Sequence, residues 1–283
     1  MDNIKRKRCR GRNHLSESDE GVASTVGTIM ALLVFLSLMS LITQQYVPVW
    51  MEDKEAYHVD NVMGQFTQIK GNVDNLVISE HEDYPMYSTM TLGSEGVPLF
   101  AGRSDGVIRL LPDEGNITLN FDNRDPLVGS GSLSLEARNR YFEEQTIAYQ
   151  NGAILLEQEE DSIMRAPPQL NIEEQEDGNY SIDIHIIDIR GEEKRLSGSR
   201  NIGVITELWD TSRNSYEDPE NVQIAIDTEY TGGWKQWIER ETDLDPTDVS
   251  EDDGILELDF EDYDGDVNRL SVTYSTINMR ISA

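Results

Sequence analysis

Apolar residues fall along this chain in three regimes. From Val22 to Ile42 they are nearly continuous: VASTVGTIMALLVFLSLMSLI is 21 residues without a charge. A helix of that length rises about 30 Å, at about 1.5 Å per residue, which matches the hydrocarbon layer of a bilayer and predicts a transmembrane helix. From Trp50 the spacing changes. Ala56, Val59, Val62, Met63, Phe66, Ile69, Val73, Leu76 and Val77 recur at threes and fours, drawing one apolar stripe along an amphipathic helix. Glu52, Asp53, Glu55 and Asp60 are expected on its opposite, solvent-facing side. Pro48 lies between the two regimes. It lacks the N–H that a helix interior uses and predicts a kink or short break. The expectation is one long helix, Val22 to about Ile78, half in lipid and half a spine for the C-terminal part of the chain.

Beyond Glu80 the period is two. Tyr87–Leu92, Ser132–Ala137, Gln169–Ile172, Tyr180–Ile189, Ile202–Leu208, Val222–Ile226, Ile255–Phe260, Leu270–Tyr274 and Ile277–Ile281 read as strands. Val107–Leu111 and Ile117–Phe121 suggest a hairpin about Pro112–Gly115. Thr146–Tyr149 and Ala153–Glu157 flank Asn151-Gly152, the dipeptide whose tight turn matches strand twist. Gly233–Arg240 reads as a short helix. Many short strands separated by turn residues indicate an antiparallel sandwich. The expected fold class is therefore α+β: a long N-terminal transmembrane helix and spine, then a mainly antiparallel β-sandwich outer domain. Its parts would be residues 1–21 as a basic leader, 22–42 as the transmembrane helix, 43–79 as the amphipathic spine and 80–283 as an acidic β-rich domain.

Charge adds orientation. Lys5, Arg6, Lys7, Arg8, Arg10 and Arg12 crowd the start, whereas 17 basic and 50 acidic residues lie beyond Gly21. Basic residues beside an apolar helix stay in the cytoplasm, so the large C-terminal part is expected outside the cell. A net charge of -31 disfavours nucleic acid as a partner and suits concentrated salt, which screens self-repulsion. The lone Cys9 permits no internal disulfide.

Candidate chemistry is sparse. His14, His58, His81 and His185 are isolated, and no nucleophile-elbow, phosphate-loop or dinucleotide motif occurs. Asp262, Asp264 and Asp266 surround Gly265 and form the one candidate site for a divalent cation, although the spacing is not that of an EF-hand. No other cofactor and no enzymatic activity is expected. Asn116-Ile-Thr118 and Asn179-Tyr-Ser181 are candidate glycosylation sequons.

The stretch Ser18-Asp-Glu-Gly21, continued at once by Val22-Ala-Ser-Thr-Val-Gly27, resembles the class III signal of archaeal type IV pilins and archaellins. The resemblance implies cleavage between Gly21 and Val22 by a prepilin peptidase, with the helix kept on the mature protein. Glu20 departs from the Lys or Arg usual there. Tyr149-Gln-Asn-Gly-Ala153, Arg165-Ala-Pro-Pro168 and Ser197-Gly-Ser199 are similar to an uncharacterised haloarchaeal pilin-like group, over about residues 20–210. The resulting expectation is a single-pass archaeal cell-surface protein, embedded in the bilayer and structural or adhesive in role. It would be either a minor subunit among other pilin-like subunits or a non-assembling relative. The alternative is an anchored binding module that captures a ligand or divalent cation without assembling.

Overall fold

The helix foreseen from the apolar pattern runs as α1, Ser16–Leu41, a π-helical turn at Ile42–Tyr46, and α2, Val47–Ser79. The computed structural model describes residues 16–82, 84–159, 161–176, 178–242, 244, 249–252, 254–260 and 267–282, with side chains from Ser24 onward. Pro48 does not break the helix. Immediately before it the Val47 N–H reaches back five residues to the Ile42 carbonyl. Widening the ladder to this spacing makes room for a ring that would otherwise strike the preceding turn.

Two compact units divide the chain, residues 1–50 and Met51–Ala283. In the first, the described residues are helical throughout. The second begins within α2 and continues as strands: β1 Met86–Thr91, β2 Asp105–Leu111, β3 Asn116–Asn120, β4 Leu127–Gly129, β5 Ser132–Arg138, β6 Gln145–Gln150, β7 Ala153–Gln158, β8 Asp161–Ala166 and β9 Leu170–Glu174. Then come β10 Tyr180–Arg190, β11 Lys194–Gly198, β12 Asn201–Glu217, β13 Gln223–Asp227, the helix α3 Thr231–Glu241, β14 Val249–Asp252, β15 Ile255–Asp259 and β16 Val267–Ser282. Among the described residues these strands build three sheets, ordered β1-β12-β16-β10-β9, β11-β2-β5-β6-β7-β8 and β14-β15-β13-β3-β4. The fold is α+β with a strand-rich, mostly antiparallel, sandwich-like domain.

Two cores hold the sheets together. The stripe of α2, including Val62, Phe66, Ile69 and Val73, is fully buried against Ile108, Leu133 and Tyr149 of one sheet and Val204, Ile277 and Met279 of another. The second core joins Ile182, Ile184 and Leu270 to Ile117, Ile224 and Leu256, with Trp234 and Ile238 of α3. Strand alternation serves both cores at once. In β10, Ile182, Ile184 and Ile186 face the second core while Ile187 and Ile189 face the first.

The Asn151-Gly152 hairpin forms as expected, with both residues at positive φ (46° and 79°) and Gln150 opposite Ala153. The hairpin expected at Pro112–Gly115 does not form. β2 pairs with β5 and β11, while β3 crosses to β13 and β4 in another sheet. Local turn chemistry announced a reversal there, but pairing went to strands distant in sequence. Leu270–Tyr274 and Ile277–Ile281 are one strand, β16, which runs parallel to β10 and antiparallel to β12.

Candidate functional site

Two regions of unlike chemistry stand out. The first is α1. Val26, Ile29, Met30, Leu33, Val34 and Phe35 are each more than half exposed. Its polar atoms turn inward on the helix. The Thr28 hydroxyl donates to the Thr25 carbonyl at 2.8 Å and the Ser37 hydroxyl to Leu33 at 2.8 Å. Thr43 donates to Met39 at 2.8 Å, and the Gln44 amide donates to the Ser40 hydroxyl at 2.9 Å. A helix in hydrocarbon must satisfy its polar groups internally, and the hydroxyls of Thr28, Ser37 and Thr43 are bonded within the helix. It is the one helix among the described residues long and apolar enough to cross a membrane.

The second surface is a polar face of the sheet containing β10. A bulge between Leu208 and Asp210 inserts the exposed Trp209 into β12. It shifts the inward positions from even to odd, bringing Thr211 opposite Ser275 of β16. Ser275 is fully buried. Its hydroxyl lies 2.9 Å from Thr211 Oγ1 and 2.9 Å from His185 Nε2. His185 Nδ1 is 3.2 Å from Gln169 Oε1, and Gln169 Nε2 donates to Asp74 Oδ1 at 3.3 Å. Asp74 pairs with Lys70 of α2 at 3.4 Å.

Donor arithmetic orients this chain of hydrogen bonds. Gln169 spends an N–H on Asp74, so its oxygen accepts from His185 Nδ1–H. Nε2 then carries the lone pair and accepts from Ser275, which accepts from Thr211. Burial, with the positive charges of Lys70 and Arg213, pushes His185 down to about 4, so the imidazole is neutral at neutral pH. The arrangement places a serine hydroxyl on a neutral histidine, as a nucleophile pair would. Ser275, however, has 0% of its surface exposed, and no substrate can reach it. The hydrogen bonds tie α2, β10, β12 and β16 together and form one wall of a cleft of about 330 Å³ lined by Asn171, Asp183, His185, Ser271 and Thr273.

Glu55 corrects the expectation of a solvent-facing acid. It is fully buried, and its carboxylate accepts the backbone N–H groups of Arg140, Tyr141 and Phe142 at 2.8–3.1 Å. Nearby, His58 is buried with Nε2 3.0 Å from the Thr91 carbonyl. Burial lowers its pKa against the opposing pull of that carbonyl and of Glu55. The spacing that placed Glu55 opposite the stripe carried no signal of a loop folding over that side.

Asp262, Asp264 and Asp266 lie outside the described residues. Gly21 and Val22 lie within the backbone of α1. Asn116 is half-buried, and its side-chain nitrogen, where a glycan would attach, is 3.5 Å from Asp227 Oδ2. Asn179 is half-buried before β10, and borders a cleft of about 480 Å³ with Asp218, Glu220 and Asn268.

A family model matches residues 114–280, about three-fifths of the chain; its description is a family of unknown function. The match spans Gln169, His185, Ser275 and α3, and leaves α1 and α2 outside. No curated protein and no solved structure matches the chain.

Proposed function

The chain belongs to this family of unknown function, DUF7289, and we propose that it is a single-pass cell-surface protein of pilin-like kind. In this reading α1 resides in the bilayer with the basic start of the chain in the cytoplasm, and the acidic β-rich part stands outside. Its work is structural or adhesive: a minor filament subunit or a non-assembling relative. The observation that carries the reading is the exposed apolar surface from Val26 to Leu41, whose hydroxyls are satisfied within the helix. Such a surface is tolerated in water only when something covers it. Lipid, or the same helix of other subunits, has the right chemistry. The acids beyond residue 21 would keep the outer part soluble in brine.

The burial of Ser275 supports a non-catalytic role for its pair with His185. A second reading is an anchored binding module that never assembles, and the clefts of the β unit favour it.

N-terminal sequencing of the native protein tests processing. A start at Val22 supports cleavage by a prepilin peptidase, and an intact Met1 overturns the pilin-like part while leaving a plain anchor. Fractionation of cells tests anchoring itself. Recovery of the intact chain in the soluble cytoplasmic fraction would refute the whole reading, and surface fibres containing the chain would decide for assembly.

A further inference from the structure

The helix α3 carries a feature that anchoring and assembly leave without a purpose. Gly233, Gln236, Trp237, Arg240 and Glu241 keep the spacing i, i+3, i+4, i+7, i+8, which is one face of a helix. Together with Met164 and Pro167 they line a cleft of about 320 Å³. The neighbouring face is locked down: Trp234 and Ile238 are fully buried in the second core. Gly233 N–H donates to Ser162 Oγ at 2.8 Å, and a Cβ at Gly233 would come within 3.0 Å of Leu155 Cδ2. The cleft therefore has a rigid wall. Trp237 is half-buried and its ring is perpendicular to that of Trp234, with centroids 6.2 Å apart at 87°.

Gln236, Arg240 and Glu241 are exposed at the rim and are engaged by no hydrogen bond or ion pair among the described residues. Among the described residues, an amide, a guanidinium and a carboxylate thus surround an indole without a partner. Three simpler ligand classes meet an obstacle here. A purely apolar ligand would strip water from three polar groups and leave them unpaired. A cation that suits the indole and Glu241 is opposed by Arg240. An anion that suits Arg240 is opposed by Glu241 and by a chain of net charge -31. A neutral molecule with one apolar face and a rim of paired donors and acceptors meets none of these objections. Its C–H face packs on the indole, and its hydroxyls bridge the planar amide, guanidinium and carboxylate. The volume lies at the small end of the about 300–1,000 Å³ typical of ligand sites, suited to a short saccharide.

We propose that the α3 cleft is a saccharide-binding subsite. The proposal goes beyond membrane anchoring and holds whether or not the chain assembles, so its failure leaves the anchor reading intact.

The test is titration calorimetry on the full chain in a zwitterionic detergent without a sugar headgroup, with glucose, galactose, mannose, N-acetylglucosamine and maltose as probes. Saturable binding of at least one is expected. Trp237→Ala is expected to weaken it by about tenfold or more, and Gln236→Ala and Arg240→Ala by about threefold to tenfold each. Trp237→Phe should retain most of the affinity, and Trp209→Ala, an exposed ring on β12, all of it. Trp237 touches the second core, so the two rim variants keep the test valid if Trp237→Ala unfolds. The absence of saturable heat from all five sugars, or rim variants that bind like the native chain, overturns the proposal.

Discussion

α1 and α2 belong to one run of helix, yet they solve opposite problems. In α1 the apolar residues surround the axis and stay exposed; in α2 the stripe from Val59 to Val77 is buried between sheets. Secondary structure is the same, so what differs is the partner. The second helix carries its partner on the same chain, whereas the first needs a cover from outside. Apolar area alone therefore does not indicate where a helix contributes to folding stability. Its angular distribution does.

That contrast can be tested most severely at Phe66, which is fully buried in the first core. Phe66→Ala is expected to destabilise the β-rich unit by about 3–5 kcal/mol, read as a shift in the denaturant midpoint of the full chain in detergent. An equivalent truncation at Phe35, exposed on α1, should leave that midpoint unchanged. A charge inverts the pattern. Leu33→Arg is expected to cost about 3–4 kcal/mol in membrane insertion, seen as loss from the membrane fraction, without moving the midpoint. If Leu33→Arg unfolds the β unit, the division into two independent problems is wrong.

Acid sharpens the comparison, because the described part of α1 carries no group that titrates near neutrality, whereas α2 carries His58 and borders His185. The folded-state pKa of His185 lies near 4, below the 6.5 of an exposed imidazole. The fold favours the neutral ring, so its contribution is complete above about pH 6.5, is lost as pH falls toward 4, and changes no further below that. The loss is roughly 3 kcal/mol over this window. His58 is shifted in the same direction. Comparing pH-dependent unfolding of the native chain with His185→Asn should show a flatter curve for the variant between pH 6.5 and 4. Parallel curves would mean that the ring is not held neutral by its surroundings.

Two smaller effects complete the contrast. Glu55→Gln replaces an acceptor of three N–H groups with an amide that can satisfy only part of them, at an expected cost of about 1–3 kcal/mol in thermal stability. Arg280→Ala removes a half-exposed pair with Glu207 at 3.4 Å and should cost less than about 1 kcal/mol by the same measurement.

Periodicity made both helices, most strands and the Asn151-Gly152 turn legible, because each depends on residues near one another in sequence. The clefts were not legible, since Met164 meets Trp237 only after β8 and α3 pack together. The network around His185 was equally hidden. It needs Lys70, Asp74, Gln169, Thr211 and Ser275 from separate stretches of the chain, and a bulge that changes which side of β12 faces in. A signal for that bulge existed in retrospect: within Asn201–Glu217 the apolar alternation of Ile202, Val204 and Leu208 ends at Trp209.

By itself the sequence determined where the chain is apolar on all sides, where on one side and where on alternate residues, together with the sign of its charge. These are properties of single residues and their spacing. Tertiary structure decided that Glu55 is buried, that β2 and β3 part into different sheets, and that β10 lies parallel to β16. Each of these depends on which distant segment wins a shared surface. That competition is settled by the free energy of the packed whole, and no local pattern encodes it.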